Sequence, residues 1–183
     1  MYNLDVAATQ AINHFAGEFR VADFGMIWIS TIGVPILVLA VAIQWWRKDA
    51  RPHVRHVLLA VGISFLVGLA LNQLILLFVQ RPRPYAIGVT HLLIAKSTDP
   101  SFPSDHATAS ASIAFAFLLH GMRKESLSFL AAAVVIMVSR IYIGTHYVSD
   151  VAGGTLTAFA AAALVRLLFR EGTAVDRMIT GIF

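Results

Sequence analysis

The chain has 183 residues, 58% hydrophobic and 13% charged, with a formal net charge of +4 and no cysteine. Soluble domains carry about 25% charged residues, so this balance excludes an ordinary soluble domain and indicates an integral membrane protein. The missing cysteine excludes disulfides and thiolate chemistry. The length suits a single domain over 1–183.

In chain order, residues 1–20 come first. Leu4, Ala8, Ala11, Ile12, Phe15 and Phe19 form a helix-spaced apolar stripe, while Asp5, Gln10, Asn13 and Glu18 fall largely elsewhere. The pattern predicts an amphipathic N-terminal helix, either lying in the membrane interface or packed on the bundle. The first five residues have no basic region ahead of an apolar core, so no cleavable signal is expected. Apolar runs over about 24–46, 54–79, 106–120, 126–143 and 151–169 follow. They predict an all-α membrane protein, a bundle of about five transmembrane helices. Pro35 is expected to kink the first. Trp45-Trp46 before Arg47-Lys48 reads as an interfacial anchor. Asn72 and Gln73 in the second need partners within lipid. Residues 80–103 are too polar to span and form a loop, and a short basic tail ends the chain.

Five spans place the termini on opposite sides. One side collects Arg47, Lys48, Arg51, Arg55, Arg123, Lys124, Arg166, Arg170 and Arg177; the other holds Arg20, Arg81, Arg83, Lys96 and Arg140. The positive-inside rule puts the richer side in the cytoplasm, hence the N-terminus out and the C-terminus in. The basic excess thus reports orientation rather than nucleic-acid binding. The loop 80–103 and three polar clusters then share the outer face.

Those clusters carry the chemistry. Ser139 and Arg140 precede His146 and Asp150, which stand four apart and share a face if one helical turn holds both. A carboxylate there can accept the Nδ1 proton of the imidazole and leave Nε2 free as nucleophile or base. The bland alternative is a helix-end arginine at the headgroups and a satisfied histidine. Pro103-Ser104-Asp105-His106 opens the third span. Backbone N–H groups and the helix dipole there favour an anion, and Ser104 adds a hydroxyl. A simple N-cap by Ser104 or Asp105 reads the same residues equally well. Arg81-Pro82-Arg83-Pro84 closes the second span with two guanidiniums suited to phosphate oxygens, or to lipid headgroups. A metal site from His91, His106, His146, Asp105 and Asp150 lacks any close ligand pair, and none is expected.

In this order the clusters resemble the signature of the type 2 phosphatidic acid phosphatase family, K-x6-R-P, then P-S-G-H, then S-R-x5-H-x3-D. Ser139, Arg140, His146 and Asp150 match the third element in full. Pro103, Ser104 and His106 match the second, with Asp105 where the family usually has glycine; Arg83-Pro84 match the first, with Leu76 at the lysine position. Lys96 or Arg81, or hydrogen bonds from Asn72 and Gln73, could replace the lysine, and Asp105 needs a partner among Arg81, Arg83 and His106. Asn72-Gln73, Pro82-Arg83-Pro84-Tyr85 and Ser101-Phe102-Pro103-Ser104-Asp105-His106 are similar to the bacitracin-resistance branch.

The resemblance implies a metal-independent, cofactor-free phosphohydrolase of the bacterial inner membrane, its site facing outward. His146 is then the nucleophile, Asp150 its support and His106 the acid and base. Arg83, Arg140, Ser104, Arg81, Ser139 and Asp105 are the expected phosphate-binding set. The substrate it implies is a polyprenyl diphosphate, undecaprenyl diphosphate, with membrane lipids as the other partners and no nucleic acid. Phosphatidic acid, phosphatidylglycerophosphate, phosphoryl transfer to another lipid, and transport of a lipid phosphate remain alternatives.

Overall fold

A computed structural model describes residues 2–47 and 51–181. Among these residues the structure is entirely helical: α1 (Tyr2–Asn13), α2 (Arg20–Ile43), α3 (Arg51–Leu76), α4 (Asp105–Leu119), α5 (Arg123–Tyr142), α6 (Val148–Leu168) and α7 (Ala174–Thr180). Short 3-10 turns follow α2 (Gln44–Trp46) and interrupt the loop between α3 and α4 (Pro84–Ile87). Four segments, Arg20–Trp46, Pro52–Leu76, Arg123–Tyr142 and Val148–Leu168, are long and apolar enough to cross a bilayer, and the chain is a multi-pass membrane protein. The remaining expected span is α4. At 15 residues it measures only about 22 Å at 1.5 Å per residue. It runs through the middle of the bundle against α3, α5 and α6.

Helix boundaries follow local chemistry. Arg81, Pro82 and Pro84 lie just beyond α3, where proline cannot continue a helix. Ser104 caps α4, its hydroxyl accepting from Ala107 N–H. Asp150, three residues into α6, accepts from the Tyr147 N–H (2.8 Å) at that helix's entry. Pro35 sits inside α2 without ending it. Lys48 of the expected interfacial anchor lies outside the described residues. The tail, read only as basic, contains α7, whose Asp176 pairs with the buried His56 of α3 at 2.8 Å.

Lipid tails are as apolar as leucine, so the hydrophobic effect does little to hold such helices together and close packing must do more. Ala107, Ala111, Ala114 and Ala116 of α4 are buried against Ala158, Ala161 and Ala162 of α6 and their neighbours. Glycines bring backbones into contact. A Cβ on Gly68 of α3 would stand 2.9 Å from Thr108 and Ser112 of α4, and one on Gly154 of α6 would stand 2.6 Å from the Ser104 carbonyl. Outside this core, Phe24, Leu39, Leu66, Leu156 and Leu167 are exposed, as lipid-facing positions should be.

α1 does not lie free in the interface. Its polar side chains point into the protein. Asn13 donates to the carbonyls of His91 (2.9 Å) and Tyr142 (2.7 Å), and Thr9 accepts from the Val148 N–H (3.1 Å). The packed alternative therefore holds, while Leu4, Phe15 and Phe19 remain exposed.

Because the Ser104 carbonyl belongs to a capped first turn, it has little room to retreat from a methyl group. Gly154→Ala should lower the thermal unfolding midpoint in detergent, by the equivalent of about 1–3 kcal/mol. Gly62→Ala, where a Cβ meets nothing within 4 Å, should leave it nearly unchanged.

Candidate active site

The end of α3, the start of α4, the end of α5 and the entry to α6 meet at one end of the bundle. A cavity of about 400 Å³ opens there, with Arg83, Asp105, His106, Arg140, Thr145 and His146 in its wall, together with Gln73, Leu76 and, from the α3–α4 loop, Ile94, Ala95, Ser97, Asp99 and Pro100. Two histidines 40 positions apart and two arginines 57 apart in the chain thus line a single space.

His146 is held at both ring nitrogens. Nδ1 lies 2.8 Å from the Ser101 carbonyl, which requires a proton on that nitrogen. Nε2 lies 3.3 Å from a guanidinium nitrogen of Arg83, which is a donor only. The tautomer that satisfies both carries its proton on Nδ1 and a lone pair on Nε2, turned toward the cavity arginine. Burial pushes the imidazole below its usual range, and Arg140 and Arg83 add to this against Asp150. The ring is thus kept neutral.

Asp150 stands differently from the sequence expectation. α6 begins at Val148, so His146 precedes it and the two residues share no helical turn. The carboxylate is 3.6 Å from Nδ1, too far for a hydrogen bond, and the Ser101 carbonyl takes the proton instead. Asp150 is fully buried. It accepts from Arg81 (2.7 Å), the Tyr147 N–H (2.8 Å) and the Ser101 hydroxyl. It supports His146 by charge and by fixing Ser101. Ser101 is a site residue that sequence reasoning missed; its place two residues before Pro103 in the quoted motif was the available signal.

Three expected phosphate contacts lie outside the cavity wall. Arg81 turns away, donating to Asp5 (2.8 Å), Ser149 (2.6 Å) and Asp150 (2.7 Å) and lying 3.8 Å over the Tyr147 ring. A guanidinium so occupied has little left for a ligand. Ser104 is fully buried as the α4 cap, and the Ser139 hydroxyl returns to the Ile136 carbonyl (2.6 Å) within α5. The N-cap reading holds for Ser104, and Ser139 is bonded within its own helix.

The two remaining arginines are poised for an anion. Arg83 is oriented by the carbonyls of Asp99 (2.9 Å) and Thr145 (3.2 Å). Arg140 donates to the Ser30 hydroxyl (2.5 Å), and its Nε is buried without a protein partner among the described residues. A buried donor with no acceptor is costly unless a ligand supplies one. Ser30 of α2, also missed in the sequence, faces His106 through its backbone as well.

The two departures from the family pattern have separate settings. Asp105 does not pair with an arginine or with His106. Its Oδ1 accepts from Asn72 at 2.7 Å, and Asn72 is itself buried and bonded to Thr108 (2.9 Å). Asn72 is therefore turned from the phosphate cavity, whereas Gln73 lines it beside Leu76. Lys96 is exposed and outside the wall. Among the described residues no cluster of three His, Cys, Asp or Glu could hold a metal ion.

A model of the PAP2 superfamily matches residues 56–173. The chain belongs to the PAP2 superfamily. Within it, this chain is 33% identical over 149 residues to Undecaprenyl-diphosphatase BcrC of Bacillus subtilis (strain 168), across 81% of this chain and 76% of that protein. It is 29% identical over 164 residues to the Bacitracin transport permease protein BcrC of Bacillus licheniformis, across 88% and 79%. These relatives agree with the bacitracin-resistance branch that the motifs resemble. The fold matches the crystal structure of the first transmembrane PAP2 type phosphatidylglycerolphosphate phosphatase from Bacillus subtilis, with a TM-score of 0.67 at 21% identity over 94% of this chain and 88% of that one.

A charge-assisted hydrogen bond is worth about 1.5–3 kcal/mol, so Arg83→Ala and Arg140→Ala should each weaken binding of orthovanadate by about tenfold or more. Lys96→Ala should leave it within about twofold, since exposed single charges contribute little. Calorimetric titration of the detergent-solubilised protein measures both.

Proposed function

We propose that this PAP2 protein removes the terminal phosphate of undecaprenyl diphosphate, leaving undecaprenyl phosphate, at the outer face of the bacterial plasma membrane. The observation that carries this reading is the meeting of His146, His106, Arg83 and Arg140 around one cavity. The name of the Bacillus subtilis relative supports the substrate. A lipid substrate also suits the surroundings. His106 and Asp105 border a second, apolar groove of about 200 Å³ between α2, α3 and α4, lined by Val34, Phe65, Leu69 and Ala109. A headgroup in the polar cavity could leave its hydrocarbon in that groove, on the bilayer side.

The chemistry follows from the protonation pattern. Nε2 of His146 attacks the terminal phosphorus, a P–N bond forms, and the bond to the bridging oxygen breaks. A bound phosphate dianion draws a proton onto His106. His106 passes that proton to the leaving lipid phosphate, then takes one from the water that cleaves the P–N bond. Inorganic phosphate leaves and His146 returns to its neutral form. Arg83 and Arg140 hold the equatorial oxygens while their charge grows. Asp150 balances the positive charge that the phosphorylated imidazole acquires. No step needs a metal ion.

The outward orientation rests on the asymmetry of basic residues between the two sides of the bundle. All the cavity's polar groups then face the compartment with fewer lysines and arginines.

His146→Ala should abolish phosphate release from undecaprenyl diphosphate while the variant stays folded, and release by the unaltered protein should survive chelation. Near-normal release by that variant removes the nucleophile. The acid limb of kcat/KM reports the free enzyme's base. Because burial and the two arginines hold His146 low, that limb should fall below the ordinary imidazole value of 6.5. Parallel assays with phosphatidic acid and phosphatidylglycerophosphate decide the substrate class.

A further inference from the structure

The family match begins at residue 56 and leaves α1 outside it. Yet α1 sends a carboxylate to the site. Asp5 accepts from Arg81 (2.8 Å), from the Ser149 N–H (2.9 Å) and from the Ser149 hydroxyl. Arg81 in turn reaches His146 by two routes. Its guanidinium binds Asp150, which lies 3.6 Å from Nδ1. Its backbone carbonyl accepts from the Ser101 N–H (2.8 Å), and the Ser101 carbonyl takes the Nδ1 proton (2.8 Å). The Ser101 hydroxyl joins the two routes by binding Asp150. Asp150 is fully shielded, and the side chains of Asp5 and Arg81 are only 14% and 21% exposed. In such surroundings water screens the charges weakly.

We propose that Asp5 is a positioning residue for phosphoryl transfer: it shares Arg81 with Asp150, and so sets both the seat of the Ser101–His146 hydrogen bond and the charge felt at the nucleophile. This rests on His146 being that nucleophile. The charges alternate from α1 inward, Asp5 negative, Arg81 positive, Asp150 negative. Without Asp5, Arg81 is free to neutralise Asp150 fully, and Asp150 then does less to stabilise the cationic phosphorylated ring. Burial opposes ionisation of Asp5, but its bonds to Arg81 and Ser149 outweigh this and hold its carboxyl below the usual range. The pair stays charged at neutral pH.

Other charged or titratable groups around His146 are Arg83 from the α3–α4 loop, Arg140 from α5, His106 from α4 and Asp150 from α6. Asp5→Asn changes none of them. It keeps the shape and removes one negative charge, which disfavours protonation of His146. The acid limb of kcat/KM should therefore move to lower pH.

The test measures phosphate release from undecaprenyl diphosphate by full-length Asp5→Asn, Asp5→Glu, Thr9→Val and His146→Ala proteins. Asp5→Asn should lower kcat by about tenfold with KM within about twofold, a loss of positioning rather than of binding. Its acid limb should shift as described, and Asp5→Glu should recover most of the rate. Thr9→Val breaks a different α1 tie, to the Val148 N–H, and should change neither kcat nor the pH profile. If Asp5→Asn fails to fold, Ser149→Ala, which removes the hydroxyl shared by Arg81 and Asp5, should lower kcat in the same direction. An unchanged kcat and acid limb in Asp5→Asn, or an unchanged kcat in Ser149→Ala where that variant stands in, overturns the proposal, provided His146→Ala is inactive. An active His146→Ala instead overturns the functional reading beneath it.

Discussion

A carboxylate with no exposure to solvent organises this end of the molecule. An unpaired buried charge costs several kcal/mol, so Asp150 demands partners. It draws Arg81 from the exit of α3, Ser101 from the α3–α4 loop and the Tyr147 N–H from the entry to α6. These segments are far apart in sequence. The charge acts there together with the apolar packing of Leu93 and Ile94 against Tyr142 and Ile143. His146 is seated as a consequence, because Ser101 fixed by Asp150 is also the residue whose carbonyl takes the imidazole proton.

Small residues make that convergence possible. Gly68, Gly153 and Gly154 let α3, α4 and α6 approach until backbones and rings touch; a Cβ on Gly153 would stand 2.3 Å from the Phe102 ring. Phe102 and Pro103 lead directly into the cap of α4 and thus to His106. Packing within the bundle and chemistry at its rim therefore meet at the same few residues. The low-dielectric interior also strengthens the buried contacts beside the cavity, such as that of Arg81 with Asp150.

Much of this was legible beforehand. Hydropathy located the long helices of the bundle but not α7, and the ordered clusters marked His106, Arg83, Arg140 and His146, all of which line the cavity. Arg81 was misjudged because a sequence shows a cation's presence but not which anions will surround it. Asp5 and Ser149 are distant in sequence, and only folding brings them to its guanidinium. The partner of Asp105 stays open in the sequence for the same reason. The available partners seemed to be cations, but the nearest donor is the amide of Asn72 on the neighbouring helix. Ser104 and Ser139 bear hydroxyls suited to phosphate, yet their burial directs both to backbone groups.

Membrane residence, the helical class and the residue types available for phosphate chemistry were determined by the sequence alone. Those depend on composition and local periodicity, which act over a few turns of chain. The tertiary structure alone decided which polar groups face the cavity and which face each other. A hydrogen-bond partner in a low-dielectric interior is chosen by proximity in space, and α1 shows the difference. Its apolar stripe announced a helix, but the place of its carboxylate beside Arg81 depends on how the whole bundle closes.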